Sequence, residues 1–269
     1  MSKDIIIYPS GDTTNTNPFV RFSGSSDMNY IMEITDDGYI DLSVEENIVT
    51  DGMVFYVDAG NYDSYSGGTT WYDLSGSSDA TLINGPIYDN GSILFDGSDD
   101  RGTFATPTTS TATSLTYNVW FKGISSASAV NGFGYIIHNN GPSTSTGNSY
   151  LTFGVHGGTG KYYAAMNGQY NNMQTSISEN SSNFYMMSLT WDGATQKVYI
   201  NGNLENSKPL VDGFTYQYAW SSTFGLCDQR SGTYRPFDGN LFIINAYNRA
   251  LSATEVLQNY NAQKHRFGL

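Results

Sequence analysis

The run from Arg235 to Asn261 constrains this chain most. Arg235-Pro236 leads into Phe237-Asp238-Gly239-Asn240, the apolar stretch Leu241-Phe242-Ile243-Ile244 and a corner at Asn248-Arg249. An apolar run of this length bounded by turn residues reads as a buried strand. Ser252 followed three residues later by Glu255 is a capping box, in which each side chain serves an unpaired N–H at a helix start. Val256, Leu257 and Tyr260 fall on one face of that helix, so this face is expected to pack on the body of the protein. A last strand followed by one short helix is the close of an all-β chain.

The upstream sequence agrees. Met53–Asp58 is almost wholly apolar, as in a strand covered on both sides. Leu115, Tyr117, Val119 and Phe121 alternate with Thr116, Asn118, Trp120 and Lys122, and Leu151, Phe153 and Val155 alternate likewise. Met187, Leu189 and Trp191 form an apolar face, Asp192-Gly193 turns the chain, and Val198 and Ile200 face inward on the return before Asn201-Gly202. Asp-Gly and Asn-Gly supply the positive φ that tight hairpins need. Many short strands between such turns predict an antiparallel jelly-roll β-sandwich over residues 52–269. Residues 1–51 read as a separate, small β segment. Asp4–Tyr8 and Phe19–Phe22 are strand-like, and Tyr30–Ile34 pairs with Tyr39–Leu42 across Asp36-Asp37-Gly38. A few short strands bury too little to stand alone, so attachment or oligomerisation is expected of this segment.

Composition narrows the function classes. Of 269 residues, 39% are hydrophobic and only 14% charged, with a net charge of −13, so Ser, Thr, Asn, Gly and Tyr must cover the surface. No basic stripe is present, which excludes nucleic acid as the expected partner. Cys227 is the single cysteine and is expected to be a small buried residue. Ile5-Ile6-Ile7 is too short for a secretory h-region, and no apolar run reaches membrane-helix length. No membrane partner is expected.

Four segments, in order, resemble the laminin-G-like, concanavalin A-like lectin/glucanase domains. They are Thr70-Trp71-Tyr72-Asp73-Leu74-Ser75-Gly76, Ser92–Asp100, Leu115–Lys122 with its Trp-Phe pair, and Leu189–Gly193 with Val198–Gly202, followed by the ending described above. Asn248-Arg249-Ala250-Leu251-Ser252 and the tail Lys264–Leu269 are similar to laminin-G-like virion proteins of tailed phages. The resemblance implies an all-β concanavalin A-like sandwich with one short C-terminal helix.

Candidate sites follow. Sandwich enzymes that cleave β-glucans carry Glu-x-Asp-x-Glu on one strand, and that pattern is absent here. Glu33-Ile34-Thr35-Asp36 has the wrong spacing, Glu45-Glu46 reads as a solvated edge, and His138, His156 and His265 are scattered. Ser64–Trp71 is faintly like a sialidase Asp-box with Ser66 in place of the Asp, and reads as a turn. No catalytic residue is assigned, and a non-enzymatic chain is expected. Asp96, Asp99 and Asp100, with Asp238 approaching across the sheets, form a candidate set of hard oxygens for calcium, although the simpler reading of Asp-Gly and Ser-Asp-Asp is ordinary turn chemistry. Tyr162, Tyr163, Tyr216, Tyr218, Trp220 and Tyr234 are the candidate sugar-contacting aromatics, with Tyr170, Gln169, Asn171, Asn172, Gln217 and Arg235 nearby. Aromatic faces stack on sugar C–H surfaces, but the same residues also fill β-sandwich cores.

The sequence therefore predicts a non-enzymatic structural protein on a phage particle, made in the host cytoplasm and displayed on the virion surface. As a capsid decoration, head fibre or tail-associated adhesin, it would meet other virion proteins through residues 1–51 and present the sandwich to cell-surface glycans. A homo-oligomer is expected. The alternative is a secreted or cell-surface carbohydrate-binding module or adhesin.

Overall fold

The computed structural model describes residues 19–23, 28–34, 40–76, 78–105, 111–125, 132–139, 143–144, 147–148, 151–210, 216–217, 223–227 and 235–269. The chain divides into two compact units, Met1–Ile48 with Asn261–Leu269, and Val49–Tyr260. In the first, Phe19–Ser23, Met28–Ile34 and Ile40–Glu46 form a three-stranded antiparallel sheet. Ile34 pairs with Ile40 and Met32 with Leu42, while the expected turn Asp36-Asp37-Gly38 lies outside the described residues.

The second unit is a sandwich of two antiparallel eight-stranded sheets. In the first sheet Leu115–Ser125 lies at the centre, between Asn180–Trp191 and Phe237–Tyr247. Phe237–Tyr247 has two partners end to end on its other side: Ser92–Asp96 along its first half and Met53–Asp58 along its second. The second sheet runs from Gln174–Ser178 through Lys161–Met166, Leu151–His156, Gly134–Asn139, Thr223–Leu226 and Arg101–Ala105 to Ala80–Ile83 and Thr70–Trp71. No helix among the described residues is long and apolar enough to cross a membrane.

The alternation read in Leu115–Phe121 is real, but one face would have left Thr116, Asn118 and Trp120 in solvent. All seven residues are buried. Leu115, Tyr117, Val119 and Phe121 join the inter-sheet core, where Phe55, Phe104 and Phe224 stack at 4.5 and 4.9 Å and Tyr117 meets Phe224 at 5.3 Å. On the opposite face, Trp120 stacks on Tyr260 of the helix Ala253–Lys264 at 5.6 Å. Thr116 Oγ1 donates to the Arg249 carbonyl and accepts from Leu251 N–H, and Asn118 Nδ2 donates to Asn245 Oδ1. Val256 is buried and Tyr260 half-buried as expected, but Leu257 is 42% exposed. The helix meets the sheet through a narrower stripe than three apolar residues suggest. Asn259, at 0% exposure, supplies the rest through hydrogen bonds.

Asn259 closes a ring of three such bonds. Val49 N–H donates to Asn259 Oδ1 (2.8 Å), Asn259 Nδ2 donates to the Tyr247 hydroxyl (3.0 Å), and that hydroxyl donates to the Val49 carbonyl (2.9 Å). Burial pushes the Tyr247 hydroxyl up.

The capping box is formed in both directions. Glu255 N–H donates to Ser252 Oγ (3.2 Å) and Ser252 N–H to Glu255 Oε2 (2.8 Å). Arg249 grips the same carboxylate bidentately at 2.6 and 3.1 Å and reaches Asp51 Oδ2 at 2.9 Å. The guanidinium holds the Glu255 carboxyl down to about 2. A depressed carboxyl stabilises the fold above the ordinary carboxylate range, and that contribution fades as pH falls from about 5 toward 2. Solvent screening of this partly exposed pair reduces it to about 1 kcal/mol. Urea melts of E255Q and the parent should therefore differ at pH 7 and converge near pH 2; a constant gap would contradict the ion-pair account.

Gly123 faces Gly239, next to a register shift in the ladder between Leu115–Ser125 and Asn180–Trp191. A Cβ on Gly123 would lie 2.4 Å from the Asp238 carbonyl oxygen and 2.6 Å from Phe237 Cζ.

Candidate functional site

The second sheet carries an aromatic and basic cluster on the face turned away from the interior. Lys161–Met166 sets its direction. Tyr162 points inward, packs edge-on against Phe121 at 5.0 Å, donates to the Gly123 carbonyl (2.6 Å) and accepts from Asn180 N–H (2.8 Å). It is fully buried, which corrects its assignment as a sugar-contacting residue: both ring faces and the hydroxyl are spent in the core. Tyr163, one residue on, points the other way.

Ladder register brings Tyr163 opposite Gly154 and Gly154 opposite Tyr135. A side chain at Gly154 would run into the Gly134 carbonyl at 2.3 Å and the Tyr135 ring at 3.3 Å, so this glycine makes room for the two tyrosines. Their hydroxyls are hydrogen-bonded to each other, and Arg235 Nη1 donates to Tyr135. The Arg235 guanidinium lies over the Phe133 ring at 4.8 Å and the Tyr135 ring at 5.2 Å, in cation–π distance of both. His138 stacks on Tyr135 at 4.7 Å and meets Thr152 Oγ1 at 2.8 Å. His156 lies 4.8 Å from Phe133 and 5.9 Å from Tyr170. Gly158 N–H donates to His156 Nδ1, so the ring proton sits on Nε2 and is donated to Asn171 Oδ1 at 2.7 Å. The histidines at 138 and 156, scattered along the sequence, share one face in space.

The cluster has a floor and a rim. Tyr135, His138, His156 and Tyr163 are buried; Tyr163 at 1% exposure supports the site and is not itself a contact surface, a second correction. Burial pushes both tyrosine hydroxyls up, Tyr163 most strongly, although Arg235 opposes the rise. Tyr170 (39% exposed) and Asn171 reach solvent, and Phe133 and Arg235 are half-buried. Such a rim offers aromatic faces, one carboxamide and one guanidinium, held by rings with little freedom to move.

The acidic turn is a separate feature. Carboxylate oxygens of Asp96, Asp99 and Asp100 lie within 4.8 Å of one another. Asp96 Oδ1 accepts from Ser98 N–H (2.7 Å) and Asp100 Oδ2 from Asp96 N–H (3.1 Å), leaving one oxygen on each for other use. Burial raises the Asp100 carboxyl, and the charges of Asp96 and Asp99 raise it further. Asp238 sits directly opposite Asp96 in the same sheet, and burial, then Asp96, raise its carboxyl too. This donor set is hard and anionic, and its members destabilise one another's charge, so it fits a divalent cation.

Tyr216 pairs with Ala112 in a short ladder. Tyr218, Trp220 and Tyr234 lie outside the described residues. Within Ser64–Trp71 the turn before the strand Thr70–Trp71 is closed by the Tyr65 hydroxyl on the Gly68 carbonyl (2.9 Å), and Trp71 is core. In the adjoining loop Asp73 Oδ1 accepts from Tyr56 N–H (2.9 Å) and Ser75 N–H (3.0 Å), so it organises the turn.

Residues 96–257 match the laminin-G-type family model described as the concanavalin A-like lectin/glucanases superfamily. No curated protein matches the chain in sequence. Among solved structures, Trypanosoma rangeli sialidase in complex with 2,3-difluorosialic acid is similar, with TM-score 0.62 and 15% identity over 89% of this chain and 43% of that one. The receptor binding domain of botulinum neurotoxin D gives TM-score 0.57 at 13% identity, over 79% of this chain and 53% of that one. The binding domain of Paraclostridial Mosquitocidal Protein 1 gives 0.55 at 14%, over 79% and 52%. The chain thus spans less than half the length of the sialidase. These likenesses concern the fold. They also overturn the expectation of a non-enzymatic chain: a sialidase, an enzyme, contains this architecture alongside binding domains that share it. A missing Glu-x-Asp-x-Glu pattern is no ground for excluding catalysis.

Proposed function

Because this chain belongs to the concanavalin A-like lectin/glucanases superfamily, we propose that it recognises saccharides on the outer face of its second sheet. The observation that carries the reading is the rim of Tyr170, Asn171, Phe133 and Arg235 held on the buried floor of Tyr135, His138, His156 and Tyr163. The Tyr170 ring stacks on a sugar face. Asn171 spends its oxygen on His156, which turns its Nδ2 toward a sugar hydroxyl. Titration of saccharide panels by calorimetry tests this. Tyr170→Ala should weaken binding by about tenfold, the worth of one stacked aromatic face, with little change in melting temperature because the ring is exposed. No saccharide binding by the parent chain would overturn the reading.

Display on a phage particle, with residues 1–51 attaching to other virion proteins and copies assembled symmetrically, is part of the same proposal. It is supported by the sparsely charged, acidic composition and the resemblance of the closing segment. Many copies per particle turn weak contacts into avidity through effective concentration. Particles assembled with a chain lacking residues 1–51 should lose the protein; full incorporation would contradict this attachment.

Calcium held by Asp96, Asp99 and Asp100 is a further element, supported by their proximity. At a hundredfold excess over Kd, a bound ion stabilises by about 2.7 kcal/mol. Calcium should therefore raise the melting temperature of the parent in chelator-treated buffer and leave D99N unmoved; equal responses would remove the ion from the proposal.

A further inference from the structure

We propose that Arg235 is the anion-reading group of this surface and that the saccharide bound there carries a carboxylate, as uronic and sialic acids do. The inference rests on the recognition reading above and specifies its ligand class.

The first support is the way its cation is left over. The chain has 25 Asp and Glu against 12 Lys and Arg, so an arginine here has acids in excess to pair with. Arg249 does so, with Asp51 and Glu255. Arg235 has no carboxylate partner among the described residues, although it sits in a half-buried setting where an unpaired charge is costly. Its nearest groups are two ring faces and one hydroxyl.

The second is which donors remain. Nη1 is committed to the Tyr135 hydroxyl, itself tied to Tyr163. Nε is buried without an acceptor and is out of a ligand's reach. Nη2 and the guanidinium charge remain for a ligand oxygen, the charge-assisted pairing that a carboxylate supplies. A neutral hydroxyl satisfies a donor alone; a carboxylate satisfies a donor and the charge.

The third is preorganisation. The Arg235 carbonyl accepts from Tyr135 N–H at 2.9 Å, which ties its backbone to the sheet, while Phe133 and Tyr135 fix the plane of the guanidinium. Phe133 also meets Tyr170 edge-on at 5.6 Å, so the cation and the exposed stacking ring flank one aromatic. A pyranose on Tyr170 can direct a ring-borne carboxylate toward Arg235. The net charge of −13 opposes anions elsewhere on the chain, which makes a local guanidinium the discriminating element.

The test compares matched ligands on the full chain by calorimetry: trigalacturonate against its methyl ester, and 3′-sialyllactose against lactose. At least one acidic member should bind about tenfold tighter than its neutral partner, and raising salt from about 50 to 500 mM should narrow the gap. R235Q should close it by weakening the acidic ligand, while R235K, which keeps the charge and loses the planar guanidinium stacked on Phe133 and Tyr135, should restore it only in part. Acidic and neutral members bound equally, or a gap that R235Q leaves unchanged, would overturn the inference while the recognition reading stands. Binding of no member would overturn both. The ester and salt comparisons require no substitution, so they decide the ligand class even if R235Q does not fold, and R235K then decides the part played by Arg235.

Discussion

Replacing Gly123 with alanine should destabilise the sandwich by at least about 3 kcal/mol, the range of overpacking combined with backbone strain. The added methyl has nowhere to go: the atoms it meets at 2.4 and 2.7 Å are the Asp238 carbonyl oxygen and Gly239 Cα, both backbone of a central strand. Gly123 also has φ +149°, outside the range alanine prefers. Its carbonyl accepts the Tyr162 hydroxyl, so any shift that relieves the clash disturbs a buried hydrogen bond in the opposite sheet. For a unit of this size the melting temperature should fall by about 6–12 °C. Gly85→Ala is the control. It has φ +101° with nothing within 4 Å of a built Cβ, so it reports the conformational penalty alone, about 1 kcal/mol. Equal losses at the two sites would show that the ladder yields and that close approach is not what requires Gly123.

Asn259→Ala should cost about 2–4 kcal/mol, because it strips two partners from buried groups at once. Val49 N–H loses its acceptor, and the Tyr247 hydroxyl loses the donor that fixes its orientation. Tyr247→Phe breaks the same ring from the other side. The double variant should therefore be less destabilised than the sum of the two singles, by roughly 1 kcal/mol or more, in a urea-melt cycle. Additive losses would mean that the three bonds act separately. The helix would then be held mainly by Trp120 on Tyr260.

The architecture was legible because strand alternation and turn chemistry act locally. Leu115–Phe121 declared one core face, Asp192-Gly193 and Asn201-Gly202 declared their turns, and Ser252 with Glu255 declared the helix start. The hidden part was the second face. Trp120 is covered by the helix, and Thr116 and Asn118 are satisfied by the Arg249–Leu251 corner and by Asn245, all more than a hundred residues later, and no local pattern marks such cover. The candidate site was half visible. Tyr163, Tyr170 and Asn171 lie close in sequence and drew attention together. Their partners include residues of Gly134–Asn139 and Leu151–His156, where every residue is buried so that polar positions do not mark a solvent face, and a register shift between Tyr135 and Ile137 reassigns faces within one strand. Tyr162 shows the converse error. Adjacent tyrosines on a strand serve opposite faces, so at most one of them could have belonged to the rim. A glycine opposite two aromatics, as at Gly154, was the available signal for the cluster.

The double partnership of Phe237–Tyr247 bears on how the protein is made. Met53–Asp58 must wait for this later segment before it gains its ladder neighbour, and Ser92–Asp96, already paired with Ile87–Asp89, before its second edge is filled, so a ribosome that has passed residue 200 still carries an open sheet with unsatisfied edges. Nascent chains halted short of residue 247 are then the species most exposed to aggregation and to chaperone capture.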